Sequence, residues 1–369
     1  MKKFTVILVI VALAASLAVS CGGKGGQLIG VAMPETAVLR WLKDGNALVT
    51  EAEKRGYRAE LQFADGKDQS IQNQHIQSFL TQRAKILIVG CIDEGVAAVV
   101  SEAAIEKVPV IAYDRIIQNS EDYDYYITFD NIKVGNLQGQ SIVDALDLDN
   151  TAATKVITLF AGSPTDANAN FFFQGAMDVL LPYIDAGKLR VVGPFPRSYT
   201  DTNTFQRITT EGWDANIAKQ RMENLLSGDA RSVTLDAVLA PNDTLAQAII
   251  EALKSDAKYR GKLPVVTGQD AEWKSALSIK NGEQYSTIFK DTSKLAEAAI
   301  ILAEQILKKQ PINIPGAVLA EGDRIEISNT GKKYVTTYLL DPILITADNI
   351  SVPLDAGFFD NVPERALLR

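Results

Sequence analysis

Cysteine and histidine are nearly absent, with two cysteines and one histidine in 369 residues. Cys21 ends an apolar leader, so only Cys91 is left in the body, no intramolecular disulfide can form, and packing must hold the fold. Cys91 closes the apolar run Ile86-Leu87-Ile88-Val89-Gly90-Cys91, the setting of a buried, inert thiol. The lone His75 sits in Ser70-Ile71-Gln72-Asn73-Gln74-His75-Ile76, a solvated position on a polar helix. A Ser-His-Asp or Cys-His device would have to use it, and no serine or cysteine stands in an elbow-like setting. Zinc-ligand spacing is lacking, and neither G-x-x-x-x-G-K nor G-x-G-x-x-G follows a strand, so no metal and no cofactor is expected. Carboxylate pairs among 45 acidic residues keep an extracytoplasmic glycosidase as the catalytic alternative, but binding without chemistry is the simpler account.

Excess positive charge is also lacking: 37 basic against 45 acidic residues give a formal charge of −8, which argues against a nucleic-acid partner. Long apolar runs are limited to residues 4–19, behind Lys2 and Lys3. That stretch is shorter than the ~20 residues that span a bilayer and reads as a secretory signal. Leu17-Ala18-Val19-Ser20-Cys21 resembles a bacterial lipobox, which implies removal of residues 1–20 and acylation of Cys21. Residues 21–27 then form a glycine-rich tether. The expected location is periplasmic or cell-surface, with membrane attachment only through the lipid on Cys21.

From residue 27 onward, short apolar runs alternate with amphipathic stretches. Strands are expected at 28–34, 58–64, 86–91, 109–113, 125–129, 155–161, 189–195, 237–240, 264–267 and 285–289. Apolar on both faces and separated by helices, they predict an α/β protein with parallel sheets, and the length predicts two domains. Nearly every strand stops at polar residues: Asp65, Asp93, Asp114-Arg115, Asp130-Asn131, Asp166 with Asn168, Asn242-Asp243, Gln269-Asp270 and Lys290-Asp291. Strand ends of one polarity share a crevice, so these groups converge on a small polar ligand.

A saccharide ring needs flat aromatics over its faces and planar polar groups at its hydroxyl edge. Arg40-Trp41 follows the first strand, with core packing the rival role for Trp41. Asp114-Arg115 ends the fourth strand, where a plain ion pair is the rival. Asn168 and Phe172 lie in a polar loop that runs into Phe171-Phe172-Phe173, and Trp213 lies in a polar loop before Asp214, itself a candidate helix cap.

The strings AMPETAVLRWLKDG, VIAYDRIIQNS, YYITFDNIKVGNLQ, AGSPTDANANFFF, GWDANIAKQRMENLLSG, VLAPND, VVTGQDAEW and EQYSTIFKDT resemble the xylose-binding and ChvE-type multiple sugar-binding periplasmic proteins. The resemblance implies a type I periplasmic binding protein: two Rossmann-like parallel-sheet domains joined by three hinge segments, near 129–132, 267–268 and 290–291. It divides the chain into one lobe of 28–130 plus 268–290 and another of 131–267 plus 291–369. It implies Arg40, Asp114, Arg115, Asn168, Asn242, Asp270 and Lys290 as polar ligands and Trp41, Phe172 and Trp213 as aromatic walls, with Asp243 bracing its own loop. It also implies a monomeric, non-enzymatic receptor that takes a monosaccharide to an ABC permease, or alternatively to a membrane sensor. Ala167 stands where the family commonly has the first of two asparagines, which leaves xylose, arabinose, galactose and glucose all open. The tail, 351–369, reads as an extra strand or a loose end.

Overall fold

The computed structural model describes residues 26–38 and 40–368. The expected signal and the acylation site Cys21 lie outside the described residues. The first half runs β1 (Leu28–Met33), α1 (Arg40–Lys54), β2 (Arg58–Phe63), α2 (Gln69–Thr81), β3 (Ile86–Val89), α3 (Ala97–Ile105), β4 (Val110–Tyr113) and β5 (Tyr125–Phe129). These strands pair in parallel in the order β2-β1-β3-β4-β5. Ile86, Leu87, Ile88 and Val89 are all fully buried, as expected of a strand covered on both faces. On α1 the buried positions Trp41, Leu48 and Ala52 form the apolar stripe, and Gly56, at φ +82°, ends it where a side chain would be strained.

The second half runs α4 (Asn131–Ala145), β6 (Lys155–Leu159), α5 (Ala167–Asp185), β7 (Leu189–Val191), α6 (Thr202–Gln206), α7 (Ala215–Ser227), β8 (Ala237–Leu239), α8 (Asp243–Ser255), β9 (Val265–Val266), α9 (Trp273–Lys280) and β10 (Thr287–Phe289). A second parallel sheet follows the order β7-β6-β8-β9. All ten expected strands are present, most of them shorter than expected. The chain closes with α10 (Thr292–Leu307), β11 (Ala317–Leu319), β12 (Thr336–Leu340), β13 (Ile343–Ile345) and α11 (Ser351–Asp355), of which the three strands were not anticipated.

Those late strands correct the expected division of the chain. β12 lies parallel beside β5 and covers the edge of the first sheet, β11 pairs antiparallel outside it, and α10 packs along α1. Segment 292–340 therefore belongs with the first sheet, not the second. Conversely, Tyr285 and Ser286 donate backbone bonds to Val266 O, and β10 pairs with β13, so 268–290 and 343–368 sit with the second sheet. The chain crosses between lobes after β5, after β10 and between β12 and β13. The crossing expected at 267–268 is absent, because the chain after β9 stays in its own lobe. The tail is neither an extra strand nor loose: it folds as α11 and a 3₁₀ turn, with Phe359 only 1 % exposed against Trp273.

In each sheet the strand order reverses direction beside the strand that begins it, between β1 and β3 and between β6 and β8. Parallel α/β sheets bind ligands outside the carboxyl ends of strands at such points. The chain leaving β1, β4, β6 and β8 brings in Arg40 at the start of α1, Asp114, Asn168 in the first turn of α5, and Asn242 at the N-cap of α8.

Candidate functional site

Arg40 opens α1, and its Nε donates to Asp44 Oδ2, one turn on, at 3.0 Å. Its Nη2 lies 2.8 Å from Asp114 Oδ1, and its Nη1 lies 3.6 Å from Asp270 Oδ1 across the cleft. Burial opposes the guanidinium charge, but Asp114, Asp44 and Asp270 together hold its pKa above its already high value. Burial likewise pushes Asp114 toward protonation, and Arg40, Lys290 and Arg115 overcome it, so its carboxyl titrates below the ordinary range. Arg115 pairs with Asp166 at 3.0 Å, and Lys290 pairs with Asp270 at 2.9 Å. Cation and carboxylate thus alternate around the cleft.

The backbone supporting these groups is unusual. Asp114 sits at φ +60°, Asp270 at +91° and Trp213 at +54°, conformations that non-glycine residues seldom hold. Asp114 is kept there because its carbonyl accepts three bonds, from Tyr126 OH (2.7 Å), Thr128 Oγ1 (3.0 Å) and Asn168 Nδ2 (2.7 Å). Asp270 N donates to Ile288 O at 2.8 Å, and Ala271 N donates to Thr287 Oγ1 at 3.1 Å.

Aromatic walls complete the site. The Trp41 ring lies 5.0 Å from both the Arg40 and Arg115 guanidinium carbons, and Phe172 meets Trp213 edge-to-face with centroids 6.5 Å apart. Trp213 approaches Gly162 so closely that a Cβ there would stand 2.0 Å from the indole, which is why that loop needs glycine.

All ten expected site residues line one cavity: Arg40, Trp41, Asp114, Arg115, Asn168, Phe172, Trp213, Asn242, Asp270 and Lys290. The free space among them is ≈ 30 Å³, far below the ~300–1,000 Å³ usual for ligand pockets, so these side chains pack close against one another. Val38, Asp166 and Gln269 also line it. Asp166 and Gln269 stood among the strand-end residues but had not been singled out; Val38 carried no signal. Asp44, fully buried behind Arg40, is marked in the sequence only by its i,i+4 spacing on the helix, which by itself reads as a solvated pair. Two buried polar atoms of the lining have neither a hydrogen-bond nor an ion-pair partner: the donor Trp213 Nε1 and the acceptor Gln269 Oε1. Asn168 has a second task, since its Oδ1 accepts from Asn131 Nδ2 (2.8 Å) and Tyr126 OH (3.2 Å), tying α5 to the first lobe.

The remaining strand-end residues do other work. Asp130 and Asp291 cap α4 and α10, and Asp65 accepts from the amides of Lys67 and Asp68. Asp243 accepts from Gln284 Nε2, Glu272 N and Thr287 Oγ1, each at 2.8 Å, and so braces its loop. Cys91 is buried, which pushes its thiol pKa up to about 12. His75 is half-buried rather than solvated, its Nδ1 lacks a partner, and it does not line the cavity.

Two parallel-sheet lobes with an enclosed polar and aromatic cavity between their strand ends define a bilobal solute-binding protein. The chain belongs to the periplasmic binding protein family, whose domain profile, described as "Periplasmic binding protein domain", matches residues 29–311. It is 41% identical over 341 residues to the multiple sugar-binding periplasmic protein SbpA of Azospirillum brasilense, covering 90% of this chain and 89% of that one. It is 40% identical over 340 residues to the multiple sugar-binding periplasmic receptor ChvE of Rhizobium radiobacter, covering 90% of each. Among solved structures it resembles an ABC transporter solute binding protein from Clostridium phytofermentans with bound β-D-glucose. That match has a TM-score of 0.81 and 33% identity and covers 92% of this chain and 99% of the other. Among the described residues no helix is long and apolar enough to cross a membrane.

Proposed function

We propose that this chain is an extracytoplasmic receptor that encloses a single monosaccharide between its lobes and delivers it to an ABC-type sugar importer. The observation that carries the reading is the charge pairing of the cavity wall. Arg40, Arg115 and Lys290 each face a carboxylate, so no charge is left over for an ionic ligand. Each ion still offers further donor or acceptor positions to a neutral hydroxyl, and bonds to charged groups are the stronger ones. Aromatic side chains line the same space, as a sugar ring's apolar faces require.

The importer role draws support from the glucose-bound relative, which is described as an ABC transporter solute binding protein. Under this reading Cys21 is acylated and tethers the receptor to a bacterial membrane. The lobes, 28–130 with 292–340 and 131–290 with 343–368, hinge about the three crossings, and sugar favours closure because only the closed form completes its contacts. Thermal-shift and intrinsic tryptophan measurements against D-xylose, L-arabinose, D-galactose and D-glucose test the proposal. At least one should raise the melting temperature and alter the emission; no response to any of the four would end the sugar reading.

A further inference from the structure

Behind the cavity, two residues that do not line it join Arg40 and Asp114 in a closed circuit. Asp44 is fully buried; its Oδ2 accepts from Arg40 Nε at 3.0 Å and its Oδ1 accepts from Tyr113 OH. Tyr113, also fully buried, is the last residue of β4 and immediately precedes Asp114. Asp114 in turn holds Arg40 Nη2 at 2.8 Å. Arg40 and Asp44 are one helical turn apart on α1, and Tyr113 and Asp114 are neighbours on the chain. Two cross-links and one internal bond therefore fix the end of β4 against the start of α1.

A buried carboxylate is a poor way to gain stability, since a well-packed apolar residue usually serves as well. Its geometry here suits a different task. With Nε hydrogen-bonded to Asp44 and Nη2 held in an ion pair by Asp114, the guanidinium is gripped on two sides, and Nη1 is the terminus left toward the cleft. The 3.6 Å from Nη1 to Asp270 Oδ1 is longer than a hydrogen bond, so this terminus is available to a ligand. Tyr113 remains a donor throughout the folded range, because burial pushes its phenol pKa well above the ordinary value and the Asp44 charge reinforces the shift.

We infer that Asp44 and Tyr113 are positioning residues that aim Arg40 Nη1 at one particular hydroxyl of the bound sugar, an inference that rests on the monosaccharide reading. A support of this kind acts on one ligand contact through a rigid surround. Its loss should therefore be read at a single hydroxyl, not as a general weakening.

The test is isothermal titration of the full chain with D-xylose, L-arabinose, D-galactose and D-glucose, and with the monodeoxy analogues of the one that binds best. In the wild type each missing hydroxyl weakens binding by its own factor, and Arg40→Lys identifies the position that Arg40 grips by levelling the factor there. Tyr113→Phe and Asp44→Asn should weaken the parent sugar by roughly tenfold, the scale of one hydrogen bond to a charged group. Both should level the factor at the same position as Arg40→Lys and leave the others as in the wild type. Tyr113→Phe preserves the shape of the core, so it decides the matter even where Asp44→Asn fails to fold. A Tyr113→Phe protein with the wild-type pattern, or with every factor reduced alike, would overturn the inference while leaving the sugar reading intact. A wild type that binds none of the four sugars would overturn both.

Discussion

Asp114→Asn is the sharpest perturbation of the cavity. Asparagine keeps the outline of the side chain and tolerates φ +60° better than alanine, so the strained turn is not the variable. The three bonds that hold this turn end on the backbone carbonyl and survive the change. What disappears is one unit of negative charge opposite Arg40. A hydrogen bond to a charged group contributes about 1.5–3 kcal/mol, so losing one to a sugar hydroxyl should weaken affinity by roughly 10- to 150-fold. At a ligand concentration of 100 times the wild-type Kd, binding stabilises the native state by about 2.7 kcal/mol, and a 100-fold weaker variant retains about 0.4 kcal/mol. A wild-type thermal shift of several degrees should thus shrink to about one degree or less. Calorimetric titration with the best of the four sugars supplies the Kd. An Asp114→Asn protein with unaltered shift and affinity would refute the placement of that carboxylate on the ligand.

Because Asp114 titrates below the ordinary carboxylate range, its native-state contribution is present above the unfolded value of about 3.9 and is lost only as pH falls through the lower folded value. Sugar affinity should accordingly be flat from pH 8 to 5, and a binding midpoint near pH 6 would contradict the assignment. Burial pulls the Lys43 ammonium down to about 8, so between there and about pH 10.4 the unfolded chain binds more protons than the native one. The stability of the wild type relative to Lys43→Met should therefore rise with pH across that interval, and a falling difference in urea melts would reverse the sign of the argument. Gly162→Ala should cost about 1–3 kcal/mol by overpacking and displace the Trp213 indole, detectable as a shift in tryptophan emission together with weaker sugar binding. Phe359→Ala, which hollows the contact between the tail and Trp273, should cost about 3–5 kcal/mol in chemical denaturation, whereas an unchanged midpoint would mean the tail does not stabilise its lobe.

The ten principal strands were legible because each is a short apolar run closed by a polar residue, and a strand buried on both faces has little other way to look. The candidate site was drawn from the same pattern: Asp114-Arg115 and Asp270 stand at strand ends, and the fold brings them to one cavity. Capping uses the same residue types at the same places, which is why Asp130 and Asp291 resemble ligands in sequence yet serve helices. The lobe boundaries were not legible. Nothing in Thr336–Leu340 says which sheet edge it will join; that choice is made by long-range pairing with Tyr125–Phe129, more than 200 residues away. Asp44 was missed because an Asp on a helix four residues after an Arg usually means a solvated pair, and only burial gives it another purpose.

Several contacts join the lobes directly: Arg115 with Asp166 at 3.0 Å, Asn168 Nδ2 with Asp114 O at 2.7 Å, and Lys43 Nζ with Phe358 O at 3.3 Å. A ligand can bias closure only through interactions that differ between the open and closed forms. The ionic groups near the first lobe satisfy one another, so they are poor candidates for most of that difference. Trp213 Nε1 and Gln269 Oε1 are better ones, since both are buried with no protein partner. Each unsatisfied buried group costs about 1–3 kcal/mol, so one molecule that supplies an acceptor to the indole and a donor to the amide recovers roughly 2–6 kcal/mol. Moving a two-state equilibrium from 1:99 to 99:1 takes about 5.5 kcal/mol, which lies within that range. A hydroxylated ring can present both kinds of group at once, and on the proposed reading these two unpartnered groups, not the ion pairs, provide most of the leverage by which a sugar would hold the lobes together.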